Sequence, residues 1–233
     1  MSQTDDASKY KLTPTQLRFA ARLNFIVFPV DINELADNLQ LLGYQRIGKR
    51  EPTANASAIS GLRFVPVNEF FRKDDLMVDI DTERQILGVS GNDISKVLES
   101  YREIEGVLKD KMNVDLRTET RFYEVLAGFE VQTGNNPRTK IGGAPTLEGF
   151  SKLIGGVVGM DLSPFTVRLA LGNALPSQED WFEITVEPWI PKATTTYYVS
   201  TVYRNKDREN MAAFSASLEN KIRGVVEAIE SRS

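Results

Sequence analysis

The sequence predicts an α+β protein that contains two copies of a strand–helix–three strands–helix unit, with an antiparallel sheet and helices packed on one face. The first supporting observation is a recurring segment: residues 18–27 and 121–131 share a frame that starts with Arg-Phe, with one residue added in the second. The second is that strand-like and helix-like segments follow in the same order in both halves. The third is that successive strand-like segments have short connections, which favours antiparallel pairing with helices on the apolar face.

The first half opens with a strand and a helix. Apolar residues occupy odd positions within residues 16–28, which is the alternation of a strand with one buried face. A helix follows, because Asp31 and Glu34 have the spacing of a capping box and an apolar stripe continues until Gly43. The polar residues 1–13 are expected to form a mobile N-terminal tail.

Three more strands and a long helix complete the first repeat, residues 14–115. The strand-like runs cover about residues 61–68, 76–82 and 85–90. The helix is predicted to start near Asp93, because apolar residues then recur at helical spacing. These residues are Ile94, Val97, Tyr101, Ile104, Leu108 and Met112.

The second repeat, residues 116–233, is predicted to have the same order. Its first strand covers residues 120–132 and is followed by a glycine-rich insertion, residues 134–159, which we expect to be a flexible surface loop that leads into a helix at about 146–158. The remaining elements are strands at about 164–172, 180–187 and 195–204 and a helix at about 207–231. We expect the two repeats to form one continuous globular unit.

Three short matches support the repeat. Residues 62–68 match 167–173 at an offset of 105, residues 78–83 match 182–187 at 104, and residues 104–108 match 222–226 at 118. Apolar strands and helices resemble one another by composition, so the common order of the matches carries the prediction.

This order of elements resembles the duplicated fold of the TATA-box-binding protein. The resemblance implies two units joined edge to edge into one curved sheet with helices on its back. It rests on element order alone, and the present sequence is predicted to have three strands after the first helix where that fold has four. A likeness without a matching motif implies an architecture and no function.

The composition excludes several kinds of chemistry. The chain has no histidine and no cysteine, which excludes disulfides, thiolate nucleophiles, Ser-His or Cys-His catalytic sites and metal sites built on these residues. Catalysis would have to use Asp, Glu, Lys or Tyr. With 28 basic and 32 acidic residues, the net charge of −4 does not favour nucleic acid or an anionic membrane as a partner.

The hydropathy pattern predicts a cytoplasmic protein without a membrane segment. No apolar run approaches the roughly 20 residues of a membrane span. The first residues also lack the apolar core of a secretory signal.

The outer sheet face of the second repeat is the first candidate binding surface. If Phe182, Ile184 and Val186 are buried, the alternate residues from Trp181 to Trp189 face outward. Two exposed tryptophans beside carboxylates form a patch of the kind enriched at interfaces, whereas cross-strand ion pairs on a solvated sheet are the structural alternative. The predicted binding residues of this face are Trp181, Glu183, Glu187, Trp189, Arg63 and Arg168.

The same face bears on nucleic-acid binding. Asp79, Asp81 and Glu83 add negative charge to it, which disfavours duplex DNA as a partner. Single-stranded nucleic acid stays an alternative, because bases can stack on Trp181 and Trp189 if cations lie nearby.

Three carboxylates suggest a metal site. Asp79 and Asp81 project on one side of a strand, and Glu183 occupies the matched place in the second repeat. If they converge, their oxygens could hold Mg²⁺ or Mn²⁺ and support an enzyme that acts on phosphate or nucleotide substrates.

A further anion site is suggested by the glycine-rich insertion. Arg138 and Lys140 precede a helix for which Thr146 is the predicted cap, so side-chain cations and backbone amides could bind an anion together.

These observations favour a non-catalytic binding or assembly module that uses the outer sheet face of the second repeat. The expected partner is another protein or a second copy of the chain in a homo-oligomer. The metal-dependent enzyme and the single-stranded nucleic-acid binder are the alternatives.

Overall fold

The computed structural model describes residues 9–24, 30–50, 58–59, 62–63, 68–143 and 145–231. Within them, one large antiparallel sheet of nine strands is accompanied by a small hairpin of β3 (Ala58–Ile59) and β4 (Leu62–Arg63). The strands of the large sheet are β1 (Lys11–Leu23), β2 (Gln45–Arg50), β5 (Asn68–Lys73), β6 (Leu76–Asp81), β7 (Ile86–Gly91), β8 (Thr120–Gln132), β9 (Val167–Ala170), β10 (Trp181–Pro188) and β11 (Thr196–Asn205).

The helices of the described chain are α1 (Ile32–Leu41), α2 (Ile94–Met112), α3 (Leu116–Glu119), α4 (Pro137–Gly142), α5 (Pro145–Val158), α6 (Arg208–Ala216) and α7 (Leu218–Glu230). Helix α2 packs on β7 and β1, α6 packs on β11 and β8, and α4 packs on β10. None of these helices combines the length and the apolar character that crossing a membrane requires.

The order of strands across the sheet is β2-β5-β6-β7-β1-β8-β11-β10-β9. The central strands β1 and β8 are antiparallel neighbours, and from each of them the order runs outward in the same way, through β7, β6 and β5 on one side and β11, β10 and β9 on the other. Strand β2 has no counterpart among the described strands of the second half. The predicted antiparallel α+β class is confirmed, and the internal duplication stays a hypothesis that this symmetry of order supports.

One face of the sheet is apolar because the strands alternate as predicted. Leu17, Phe19 and Ala21 of β1 are buried on this face. The two helices of the first half that cover it begin where the sequence predicts: Asp31 Oδ1 accepts the N–H of Asn33 at 2.7 Å, and Asp93 caps α2 with the same geometry. We call this side the helix face and the opposite side the open face.

Two strands of the first half differ from the prediction. The charged segment of β2 lacks alternation and is not predicted, which is understandable because basic residues are common on edge strands. The strand predicted over 61–68 is described only in part: β4 belongs to the small hairpin, β5 of the large sheet begins at Asn68, and residues 61 and 64–67 lie outside the described residues.

The end of the predicted tail belongs to the fold, because β1 already begins at Lys11. Tyr10 is buried, and its hydroxyl donates to Glu230 Oε2 at 3.2 Å. Residues 1–8 of the predicted tail and 25–28 of the predicted first strand lie outside the described residues.

Strand pairing aligns the two halves differently from the sequence matches. The offset of 104 makes Asp79 on β6 correspond to Glu183 on β10. Asp79 pairs with Phe70 on β5, and Glu183 pairs with Ala170 on β9, so these two partners are 100 residues apart. The predicted match between those neighbouring strands, at an offset of 105, is therefore wrong by five residues.

The first recurring segment also aligns residues that point in opposite directions. Phe19 lies on the helix face, with its ring centroid 4.7 Å from that of Tyr101. Phe122 lies on the open face beneath the guanidinium of Arg204. The common Arg-Phe frame therefore does not mark equivalent positions.

An ion pair crosses three strands of the open face. Arg18 on β1 donates through Nε and Nη2 to both carboxylate oxygens of Asp79 on β6, at 3.1 and 2.6 Å. Gly88 of the intervening β7 leaves room for it, since a Cβ there would overlap Arg18 Nη2 and lie 2.6 Å from Asp79 Oδ1. A side chain at residue 88 would displace the ends of Arg18 and Asp79 from this geometry.

We expect Gly88→Ala to destabilise the protein by about 1–3 kcal/mol, because the methyl group displaces a partly buried, charge-assisted ion pair. Gly106→Ala is the matched control, because a Cβ at that position of α2 has nothing within 4 Å. Alanine there should stabilise the helix by up to about 1 kcal/mol. Urea unfolding followed by circular dichroism measures both changes, and equal stability of the two variants would contradict the role of Gly88.

Candidate functional site

Ion pairs occupy much of the open face of the second half. Arg168 Nη2 donates to Glu183 Oε2 at 2.8 Å, and Arg204 pairs with Glu124. The hydrogen bond that Arg168 donates to the Glu183 carboxylate raises the pKa of Arg168 above its ordinary value. Glu187 accepts the hydroxyl of Thr166 at 3.2 Å. This part of the predicted surface has the form of a solvated sheet with cross-strand pairs.

The two tryptophans do not share a surface patch. Eight residues along an extended strand separate them, which is roughly 25 Å. Trp181 is only 6% exposed, whereas the ring of Trp189 lies 5.1 Å from that of Tyr198 and is partly exposed. The prediction of two exposed tryptophans on one patch is therefore wrong.

The loop between β9 and β10 is fastened close to Trp181. Arg204, directly opposite Trp181 in the strand ladder, donates to the carbonyl of Pro176 in this loop. Glu179 near its end forms ion pairs with Arg121 and Lys206. These contacts fasten the loop at the end of the sheet where Trp181 begins β10.

The three predicted metal ligands do not converge. Asp79 and Asp81 lie on β6 and Glu183 on β10, five strand spacings away, which is about 24 Å. Asp79 is paired with Arg18, and Asp81 accepts the N–H of Arg84 at 2.8 Å. Among the described residues, no group of three or more acidic side chains has the geometry of a metal site.

We expect millimolar Mg²⁺ or Mn²⁺ to leave the melting temperature unchanged, because binding to the folded state alone would raise it and these carboxylates are too far apart to chelate one ion. Thermal unfolding with each cation, against the same ionic strength of Na⁺, makes the measurement. A rise specific to the divalent ion and lost in Asp79→Asn would restore the metal hypothesis.

The predicted anion-binding residues lie on a short helix. Arg138 and Lys140 belong to α4, which Asn136 caps by accepting the N–H of Arg138 at 3.0 Å. Lys140 Nζ donates to the carbonyl of Glu230 at 3.3 Å, so this cation has a structural role. The side chains of Arg63 and Thr146 lie outside the described part of the structure.

The glycine-rich insertion is helical rather than a loop. It folds as α4 and α5, and the second of these confirms the helix predicted over about 146–158. Met160 donates its N–H to the carbonyl of Gly155 at 3.1 Å, and Gly159 has a φ of +70°, so the chain reverses tightly after α5. A Cβ on Gly155 would lie 2.6 Å from the carbonyl oxygen of Met160, which explains the glycine at that position.

Large exposed apolar side chains are concentrated in α5, the following connection, β9 and the start of the next loop. Of the 15 such residues in the described chain, eleven lie between Phe150 and Leu175. We call this set the α5–β9 surface. Its members are Phe150, Leu153, Ile154, Val157, Val158, Met160, Leu162, Phe165, Leu169, Leu171 and Leu175.

Helix α1 shows what is unusual about α5. Both helices follow a central strand, α1 after β1 and α5 after β8 and the short α4. The apolar residues Leu35 and Leu39 of α1 are fully buried, whereas Leu153 and Val157 of α5 are 66% and 79% exposed. The apolar stripe of α5 therefore has no partner within the described chain.

Sequence reasoning missed this surface, although a signal was available. The apolar residues of α5 recur at i, i+3, i+4, i+7 and i+8, which normally marks a buried helix face. Residues 150–175 contain only three charged side chains, Lys152, Asp161 and Arg168, in a chain that is 26% charged. An unusually low charge in a segment with helical apolar spacing could have indicated a surface that another molecule covers.

A groove of about 780 Å³ lies between α2 and α6 near the centre of the helix face. Glu105 forms ion pairs there with Arg117 and Arg208. The nine charged residues that line the groove nearly balance, so its field selects strongly for neither sign. They are Arg102, Lys109, Arg117, Lys206, Arg208, Glu105, Asp110, Asp115 and Glu209.

Tyr101 lies beside this groove with a buried hydroxyl. The hydroxyl oxygen has no hydrogen-bond partner among the described residues, and burial raises the pKa of Tyr101 well above its ordinary value of 10.0. Tyr44 differs, because its hydroxyl bonds Ser100 at 2.6 Å and Glu103 at 2.9 Å.

We expect Tyr101→Phe to raise the free energy of unfolding by about 1 kcal/mol at pH 7, because it removes an unpaired buried hydroxyl. Above pH 10 the unfolded tyrosine loses its proton while the folded one keeps it, so stability falls as pH rises toward the folded pKa. Each such tyrosine contributes about 1.4 kcal/mol per pH unit to this loss of stability. The free energy of unfolding of Tyr101→Phe should therefore fall less steeply with pH by that amount.

Denaturant unfolding between pH 7 and 11 measures this effect. Tyr44→Phe is the control, because it removes two hydrogen bonds and should destabilise the protein by about 1 kcal/mol at pH 7. If Tyr101→Phe lost as much stability as Tyr44→Phe, the Tyr101 hydroxyl would have to be hydrogen-bonded.

Comparisons with known proteins do not assign a function to these surfaces. No known protein family matches the chain, and no curated protein has significant sequence similarity to it. The function therefore has to be inferred from the geometry of the chain itself.

Proposed function

We propose that this chain is a non-catalytic binding or assembly module that recognises a protein partner through the α5–β9 surface. The observation that carries the proposal is the concentration of eleven of the 15 large exposed apolar side chains in this one segment. We assign binding to this surface and not to the outer sheet face of the second repeat, because the carboxylates of that face are paired and Trp181 is covered. We also propose that the protein acts in the cytoplasm.

The size of the surface supports this function. Eleven side chains with these exposures present on the order of 1,000 Å² of apolar area, whereas one partner contributes about 800 Å² to a standard interface. Exposing this area to water is unfavourable by about 25 cal/mol per Å². A partner that covers it would recover much of this free energy.

The chemistry of the surface favours a protein over the other partner classes. Its charges are few, and Lys152 pairs with Glu148 on the same helix at 2.7 Å. Nucleic-acid binding would need unpaired cations next to aromatic rings. The metal-dependent enzyme lacks support, because its proposed ligands lie on distant strands.

Serine substitution of Leu153 and Val157 tests the proposal. We expect this double variant to fold with a free energy of unfolding within about 0.5 kcal/mol of the original, because neither side chain is buried. It should also bind less anilinonaphthalene sulfonate, or associate less, than the original chain. Tryptophan fluorescence in urea, at the lowest usable chain concentration, measures the stability of the single chain.

The matched control is serine substitution of Leu35 and Leu39 on α1. These residues are fully buried, so the control should lose more than about 4 kcal/mol or fail to fold. If the α5 variant lost comparable stability, α5 would be packed in the single chain and the proposed function would be refuted.

A further inference from the structure

The outer edge of β9 lies next to the α5–β9 surface. Helix α4 packs on β10, and Gly142 at its end lies close to Ser163 in the connection between α5 and β9. The connection therefore passes the end of α4 before it enters β9. At β9, a row of backbone groups lies beside the exposed apolar side chains of Leu169 and Leu171.

The backbone groups of β9 that face outward can be identified. The N–H of Leu171 donates to the carbonyl of Phe182 on β10 at 2.8 Å. Because backbone direction alternates along a strand, the N–H and C=O groups of Ala170 and Arg168 point away from β10. In the described chain β9 is the last strand of the sheet, and no strand pairs with this edge.

We infer that two copies of this chain form a two-fold dimer in which their β9 strands pair antiparallel and their α5–β9 surfaces cover each other. This inference rests on the proposed function and names the partner. An antiparallel pair is self-complementary, so one edge meets its own copy across a two-fold axis. The apolar area of about 1,000 Å² per copy is what a stable dimer needs.

One register satisfies both the backbone and the side chains. With Leu169 of one copy opposite Leu169 of the other, the outward-facing Arg168 lies opposite Ala170 of the other copy, and the two exchange hydrogen bonds. A register centred on Arg168 would place this arginine opposite its own copy, which is unfavourable, and one centred on Ala170 would pair Arg168 with Gly172, beyond the end of β9. Arg168 also keeps its pair with Glu183 on the open face.

Charge supports a second copy as the occupant. The surface has no excess of either sign that would call for an oppositely charged partner: Lys152 and Arg168 each have an acidic partner within the chain, and Asp161 is the third charge of the segment. A surface with nearly balanced charge meets its own copy without like-charge repulsion.

Light scattering and sedimentation equilibrium test the inference on the full chain. The wild type should have twice the chain mass of 26.1 kDa. Leu169→Asp should give the single-chain mass, because it places charge in the dimer contact. Ala170→Pro should do the same, because it removes a donor from the outer edge and leaves the pairing with β10 intact. Ile190→Asp, at an exposed apolar residue outside the surface, should stay dimeric.

A disulfide tests the register. Leu169→Cys provides a single thiol, because the chain has no cysteine. Directly opposed residues of a non-hydrogen-bonded pair have Cα atoms about 4.5 Å apart, within the range for a disulfide. Mild oxidation should therefore crosslink Leu169→Cys at least tenfold faster than Ile190→Cys.

The outcomes separate this inference from the proposed function. A wild-type dimer that persists in Leu169→Asp and Ala170→Pro overturns the inference, as does equal crosslinking of the two cysteine variants. A wild-type monomer that binds anilinonaphthalene sulfonate through the surface also overturns it, while the proposed function stands with another protein as partner. A wild-type monomer that binds no dye, with an α5 variant as unstable as the α1 control, refutes both.

Discussion

The pairing of β1 with β8 is the interaction on which the rest of the structure depends. Both strands are 13 residues long, and their ladder runs from Lys11–Gln132 to Leu23–Thr120. The pair joins two half-sheets into one surface, and α2 and α6 pack on the strands at either side of this joint. Without the joint, each half would be a small sheet with a long unpaired edge and a helix that covers only part of its apolar face.

Much of this fold could be predicted from the sequence, because most strands have one apolar face and most helices have a cap. Asp31 and Asp93 mark helix starts by a local rule, and every second residue of β8 from Tyr123 to Val131 is apolar and buried. The prediction fails where a longer-range effect decides the structure. A bulge between Pro14 and Gln16 resets the alternation of β1, so its first residues read as a polar tail. β2 has no alternation because it lies at the edge of the sheet.

The candidate site was harder to predict, because local patterns show which way a side chain points and not what covers it. Trp181 does point to the open face, but it is buried at the end of the sheet where the loop that contains Glu179 is fastened. Asp79 and Glu183 do occupy matched strands, but the strand order places them on opposite sides of the joint. The stripe of α5 has the spacing of a core helix, and only the three-dimensional arrangement shows that the core does not include it. Whether a regular apolar helix is exposed depends on how the whole chain folds around it, which the pattern of the helix alone does not show.

The central position of β1 has a consequence for how the chain is made. Of the described strands of the sheet, β1 leaves the ribosome before the others, but its neighbours begin only at Ile86 and Thr120. The nascent first half can pair β7 with β1 and cover them with α2, while the other edge of β1 stays open until β8 is synthesised. Contacts between residues so far apart in sequence form slowly, and an open strand edge pairs readily with another chain. The edge of β1 that later pairs with β8 at the centre of the sheet is therefore the edge at which the unfinished protein pairs most readily with another chain.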